Sequence, residues 1–371
     1  MDINSSNNNW QIFPGFQLEH LASKLNLPVN IAFSKKSPEK AQDPLLYISE
    51  LYGQIKVVSK DYSVRTYAKN LLNYKPDYRF PGSGESGVTG IVVEPTSGDI
   101  FASMIYEDED TLKSKIIRFY SYDGLESSSQ KVIIDNIPSV HAAHQIQALT
   151  IGFDNKLYVN LGDGMVKPNP AQDESDLRGK ILRMNFDGTI PVDNPNPKSF
   201  VFAKGFRNPF GAVWRKSDQS LYVSDNGPDN DDRIAKVKPG GNYGWPKSMR
   251  DNSVFYWDFT QAPTALDFCQ NGQFPEKYED ELFVSLYGYA YMKGRQVKGK
   301  KIVKMKLNEN GSGIVSYDEF ATYIGDGPAA PCGLSFGPGG LYFTDLHGES
   351  GEKTDKPTGN LYRIKPVNPS E

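Results

Sequence analysis

The sequence predicts an all-β fold, a six-bladed β-propeller with four-stranded antiparallel blades around a central channel, and three observations predict it. An aromatic-centred strand recurs six times, anchored on Tyr47, Phe101, Tyr158, Tyr222, Phe283 and Tyr342 at intervals of about 54 to 64 residues. Each is followed by a strand that alternates apolar residues with Lys or Arg, as in "GKILRMNFDG" (179–188) and "KKIVKMKL" (300–307), the pattern of a half-buried antiparallel strand. The composition, with 34 Gly, 25 Pro, 21 Tyr and 20 Phe in 371 residues, favours many short strands joined by turns. A unit of three or four strands cannot bury its face alone, whereas six packed radially can.

The elements follow in order. Blade 1 opens near "LPVNIAFS" (27–34) and continues in "LLYISE" (45–50) and "GQIKVVS" (53–59). Blade 2 follows "RFPGSGESGVTGIVV" (79–93) with "IFASM" (100–104) and "SKIIRFYS" (114–121). Blade 3 begins at "HAAHQIQALTIG" (141–152) and continues in "LYVNLGDG" (157–164). Blade 4 runs from "GFRNPFGAVW" (205–214) through "LYVSDNG" (221–227) to "DRIAKVKPGG" (232–241). Blade 5 starts in "TQAPTALDF" (260–268), with "LFVSLYG" (282–288) after it. Blade 6 comprises "GPAAPCGLSF" (327–336), "LYFTDLHG" (341–348) and "NLYRIKP" (360–366). The segment "WQIFPGFQLEHLAS" (10–23) is expected to lend a closing strand to the last blade, giving one domain over 1–371 with a short polar tail at about 1–9. In a propeller, loops that precede the inner strands converge on one mouth of the channel, which makes them the places to look for a site.

Composition excludes several function classes. A formal charge of −4 gives no reason to expect nucleic acid or an anionic membrane as partner. No apolar run approaches the roughly 18 residues of a membrane span, and the polar "MDINSSNNNW" does not read as a signal peptide. Cys269 and Cys332 each follow an Ala-Pro. Aligned on it, they are offset by about five residues, roughly 16 Å at the rise of a strand. That is beyond disulfide reach, so two free thiols are expected.

Of the motifs, "GSGESG" (82–87) has the glycines of a dinucleotide loop but runs into β-branched "VTGIVVEP" rather than a helix, so it is no phosphate cradle. "GRQVKGKK" (294–301) lacks the final Ser or Thr of a P-loop and reads as a basic surface hairpin. "SDNGPDNDDR" (224–233) lacks EF-hand spacing; it is either a solvated acidic turn or a turn whose carbonyls take Ca²⁺. His141 and His144 have no further His or Cys at metal spacing. Either is a polar channel residue or, with a pKa near neutrality, a general base. Arg207 and Asn208 precede a Pro and a strand, which directs both at the mouth. A buried Arg is costly without a partner, so a protein carboxylate or a bound anion is expected there.

At these residues the chain resembles the glucose/sorbosone dehydrogenase family, soluble quinoproteins that use pyrroloquinoline quinone (PQQ). The resemblance is most specific in "GFRNPFGAVW…LYVSDNGPDNDDRIAKVKPGGNYGWP" (205–246) and extends over about residues 27–366. It implies a six-bladed propeller. It also implies His144 as the base that takes the sugar hydroxyl proton and binds substrate, and Arg207 as the stabiliser of developing oxyanion charge. Arg207, Asn208, Thr260 and Tyr287 fall on cofactor-contact positions, Glu85 on a substrate position, and Gly227 and Pro228 on the carbonyls of a Ca²⁺ site. The sequence departs from the family pattern elsewhere. Phe210 replaces a glutamine, Tyr287 a lysine, Ala330 and Cys332 two arginines, Ala143 an aspartate before the base, and Glu85 a glutamine. PQQ carries three carboxylates, so its charge-assisted binding loses partners unless Lys167, Lys293 or Arg295 reach in. His141 is given no role beyond a supporting or surface one.

The resemblance implies a PQQ-dependent, Ca²⁺-assisted aldose dehydrogenase-like enzyme. It would oxidise a sugar hydroxyl and pass electrons to an external acceptor. It would be a monomer or homodimer, periplasmic or extracellular. Two other classes stay open: a non-catalytic ligand- or protein-binding propeller, and a Ca²⁺-dependent lactonase-like hydrolase with Glu85 and Asn208 near the ion.

Overall fold

A computed structural model describes residues 9–75, 85–139, 143–289, 299–350 and 356–367. Its strands form six antiparallel sheets, one per blade, with the innermost strand of each lining the channel. The inner strands are Pro28–Phe33, Val88–Val93, Ile146–Ile151, Pro209–Arg215, Pro263–Phe268 and Pro331–Gly337, and each neighbours the next around a closed ring. His141, Lys293, Arg295 and most of the two glycine motifs lie outside the described residues.

The register shows what the repeat encodes. In blades 2 to 6 the aromatic anchor of the second strand lies directly across from a basic residue of the third. The pairs are Phe101 with Arg118, Tyr158 with Arg183, Tyr222 with Lys236, Phe283 with Lys304, and Tyr342 with Arg363. In four of these the cation stands over the ring, 5.3 to 6.0 Å from its centroid, a contact worth roughly 0.5–1 kcal/mol near a surface. In blade 5 the Lys304 ammonium instead stands over Phe13 and Tyr278. Blade 1 has Val57 opposite Tyr47.

An aspartate in the turn before the second strand completes the motif in three blades: Asp99 takes Arg118, Asp154 takes Arg183, and Asp218 takes Lys236. The alternating strands were expected to be half-buried with their cations in water. Several cations are buried instead, Arg183, Arg233 and Lys304 among them, because a carboxylate and nearby aromatic rings meet each of them.

The ring closes where the N-terminus was expected to close it, and more. Phe16–Leu25 pairs antiparallel with Gly359–Pro366 as the outer strand of blade 6. Trp10–Ile12 adds a fifth strand to blade 5, against Ile314–Tyr323. An aromatic cluster seals this seam: the Phe16 ring lies 4.6 Å from Phe274 and 4.9 Å from Phe320, and Trp10 lies 5.1 Å from Phe343. Each such pair adds about 1 kcal/mol beyond its buried area. Both cysteines are free and buried. No helix among the described residues is long and apolar enough to cross a membrane.

Candidate active site

One mouth of the channel opens into a cavity whose lining includes Glu85, Gln147, Arg207, Asn208, Thr260 and Tyr287. The strand ends and preceding loops of all six blades contribute to it. His144, 2% exposed, does not itself line the cavity but lies behind Glu85, which does. It precedes the inner strand and holds a left-handed backbone, φ 55°, a conformation that costs on the order of 1 kcal/mol for a residue with a side chain. Two contacts hold it there. Its amide donates to Glu85 Oε2 at 2.7 Å, and its ring Nδ1 lies 2.6 Å from Asp163 Oδ1.

Asp163 is the residue the sequence reading missed. It lies at the end of the neighbouring second strand, where "LGDG" interrupts the alternation. Gly162 makes the approach possible: a Cβ there would stand 2.4 Å from the His144 carbonyl oxygen. Asp163 also accepts from the Met165 amide at 3.0 Å, Asn169 at 2.6 Å and the Trp245 indole at 2.8 Å. Burial works to raise the Asp163 carboxyl, but the hydrogen bond and charge of His144 and the other donors outweigh it and hold the group below the usual carboxylate range. An ionised Asp163 keeps the proton of a neutral imidazole on Nδ1 and leaves Nε2 as the basic nitrogen. That Nε2 is buried and has no hydrogen-bond partner among the described residues.

Arg207 and Asn208 are fixed from below. Asp225 Oδ1 accepts both their amides, at 3.2 and 2.8 Å. Asp225 is in turn held by Arg233 at 2.8 Å, with both side chains fully buried. Arg233 also donates to the carbonyls of Gly205, Tyr243 and Met249, so every side of this charge is met.

The guanidinium of Arg207 was expected to meet a carboxylate or an anion. Its Nη1 instead donates to the carbonyls of Asn226 and Gly227, at 3.0 and 2.7 Å, and its plane stacks near Trp245. Asn208 donates to Glu85 at 3.1 Å. The amide oxygens of Asn208 and Asn226 and the amide nitrogen of Gln147 are buried and have no hydrogen-bond partner among the described residues. Three orphaned polar atoms therefore sit on residues that line one mouth, and the fourth, His144 Nε2, belongs to a residue bonded through its amide to the lining Glu85. Buried polar groups are almost always satisfied, so this cluster marks a place built for a polar ligand.

The other expected residues fall into two groups. Thr260 lines the mouth, with its hydroxyl donating to Asp232 at 3.2 Å. Gly227 is buried and Pro228 exposed at the turn, and Asp232 receives the amides of Gly227, Gln261 and Ala262. Tyr287, Phe210 and Cys332 also line the cavity, whereas Ala330 and Lys167 do not. Tyr287 is 2.8 Å from His347 Nε2. Ala330 donates its amide to Asp345.

The residues fit PQQ and calcium unevenly. The orphaned amides and the base suit the polar edge of a ring ligand. Three carboxylates would find one cation, Arg207, among the described lining residues, with the Glu85 carboxylate beside it, and that does not fit. A calcium ion at the Gly227 carbonyl would face the Arg207 guanidinium already bonded to that oxygen. The buried carboxylate of the turn, Asp232, has its oxygens turned to backbone amides. The donor set therefore suits calcium only if a ligand brings its own anionic oxygen. No group of three or more His, Cys, Asp or Glu residues suited to a metal occurs among the described residues.

Residues 37–313 match the glucose/sorbosone dehydrogenase family model. The chain is 28% identical over 297 residues to quinoprotein glucose dehydrogenase B of Acinetobacter calcoaceticus, covering 69% of this chain and 59% of that protein. It is 26% identical over 243 residues to the aldose sugar dehydrogenase YliI of Escherichia coli (strain K12), covering 58% and 59%. The chain thus spans somewhat over half the length of each of these relatives. The fold matches that of the PQQ-bound aldose sugar dehydrogenase of Streptomyces coelicolor, with a TM-score of 0.70, 22% identity and 96% and 100% of the two chains covered. From the extent of the family match, this chain belongs to the glucose/sorbosone dehydrogenase family.

Proposed function

We propose that this protein is a sugar dehydrogenase-like oxidoreductase that oxidises the C1 hydroxyl of an aldose, with His144 as general base. The observation that carries this reading is the buried Nε2 of His144, without a partner among the described residues, on a ring whose Nδ1 meets Asp163 and whose backbone amide meets the mouth-lining Glu85. In the reaction the C1–H bond breaks and its electron pair leaves as hydride to a quinone-class acceptor. The hydroxyl proton passes to His144 Nε2, the C1–O bond becomes the lactone carbonyl, and the acceptor is reduced by two electrons. A positioned base of this kind contributes about 10²–10⁴ in rate. Arg207 and Asn208 stand where charge develops on the acceptor, and Glu85, bonded to the His144 amide and to Asn208, stands where a sugar hydroxyl can donate to it.

PQQ is the acceptor that the names of the relatives suggest, and calcium at Gly227 and Pro228 its partner by resemblance. The described lining residues do not match the full charge of PQQ. Electrons leave to an external carrier, and the reading carries a periplasmic or extracellular location with it.

The test is dye reduction by the purified protein over a panel of aldoses, with PQQ or a neutral ortho-quinone, with and without Ca²⁺. Sugar-dependent reduction with one quinone is expected. His144→Ala should lower kcat by about 10²–10⁴-fold while quinone binding, read by fluorescence quenching, stays within a factor of three. No sugar-dependent turnover under any of these conditions would sink the reading, and lactone hydrolysis in its place would favour the hydrolase.

A further inference from the structure

The mouth has a charged side and a neutral side. On the charged side Arg207 and Glu85 are the only described lining residues with formal charge, one of each sign. The Nη1 of Arg207 is taken by two carbonyls. Its Nε and Nη2 make no hydrogen bond among the described residues, which leaves it able to serve one anionic or carbonyl oxygen. Glu85 repels further anions.

The opposite wall is Tyr287, Cys332, Leu346 and Ala262. Tyr287 is bonded to His347. Burial, with the nearby charge of Lys300, pushes the His347 imidazole down to about 4, so this pair is neutral near pH 7. Burial pushes the Cys332 thiol up to about 12, so it is neutral as well. Lys300 donates to the Gly327 carbonyl and does not line the mouth. Phe210 adds an aromatic face to the cavity, which suits a flat ring. A carboxylate buried against this wall would lose its hydration and gain no charged partner among the described residues.

We propose that the acceptor seated in this mouth is a planar ortho-quinone carrying at most one negative charge, rather than a tricarboxylate, and that Tyr287 and Cys332 set this preference. The proposal rests on the oxidoreductase reading for the choice of a quinone. It takes the absence of a built calcium site as a consequence, since a ligand without carboxylates brings no anionic oxygen to Gly227 and Pro228.

The test titrates the apo-protein, by fluorescence quenching and calorimetry, with PQQ and with neutral 4,7-phenanthroline-5,6-dione, each in EDTA and in Ca²⁺. The dione is expected to bind at least tenfold more tightly than PQQ in EDTA, with an affinity unchanged by Ca²⁺ or by salt. The double variant Tyr287→Lys, Cys332→Arg should raise PQQ affinity at least tenfold and change dione affinity less than threefold. Wild-type protein that binds PQQ more tightly than the dione overturns the proposal, as does protein that binds neither. If the double variant does not fold, by circular dichroism, the wild-type preference alone decides. If the dione binds as expected but no aldose reduces it, the oxidoreductase reading falls and the charge preference stands.

Discussion

Blades 4 and 6 present the same scaffold to the channel and fill it differently. In blade 4, Asp225 ends the second strand and accepts the amide of Asn208, just before the inner strand, at 2.8 Å. In blade 6, Asp345 occupies the matching place and accepts the amide of Ala330 at 2.9 Å. The backbone is pinned alike in both. The side chains it presents are Arg207 and Asn208 in one blade, Ala329 and Ala330 in the other. The difference teaches that the pin belongs to the fold and the charge belongs to the site, so chemistry can leave a blade without loosening it. The two pins are also held differently, because Asp225 has Arg233 beneath it and Asp345 has Asn360.

The largest effect should come from the site that depends on the pinned backbone. Asp163→Asn removes the negative charge and puts an NH2 donor in place of one of the two oxygens that accept from Met165, Asn169 and Trp245 and face His144. We expect kcat to fall by about 10²–10⁴-fold, with the loss partly relieved at high pH. Stopped-flow reduction across pH measures it, and a kcat within threefold of wild type would show that Asp163 does not set the tautomer.

Next comes the contrast between the pins. Arg233→Met strips a fully buried carboxylate of its cation and should destabilise the protein by about 3–5 kcal/mol. Asn360→Ala under Asp345 should cost about 1–2 kcal/mol. Urea unfolding of both variants gives the comparison, and equal losses would mean that the two pins are equivalent.

A further effect, visible only on acidification, belongs to the neutral wall. Burial lowers the His347 pKa from 6.5 to about 4. On acidification the unfolded chain therefore takes up a proton that the native state refuses. Stability from this group is full above about pH 6.5 and declines as pH falls towards 4, by about 3 kcal/mol. His347→Gln should flatten that part of the stability–pH curve, and an unchanged slope would place the His347 ring in water.

Much of this was legible in the sequence. The six aromatic anchors, the basic alternation and the N-terminal closure gave the ring, because strand period and turn chemistry are local properties. Arg207, Asn208 and Thr260 line one mouth, with His144 bonded to Glu85 beside them, because loops before inner strands converge there. Asp163 escaped because its partnership with His144 crosses between strand ends, and only the Gly-Asp-Gly interruption hinted at it. The partners of Arg207 escaped because they are carbonyls, which every residue has. The burial of Arg233 escaped because alternation shows which side a cation takes and not what meets it there.

The seam between blades 5 and 6 bears on how the chain is made. Phe16–Leu25 pairs with Gly359–Pro366, more than 330 residues away in sequence. On the ribosome the first strands must wait, unpaired, for the last. Contacts of such separation are slow to form, and a waiting strand edge is open to other chains. Fusions or nicks at either end of this segment would therefore act on yield and on the lifetime of the closed ring before they act on chemistry.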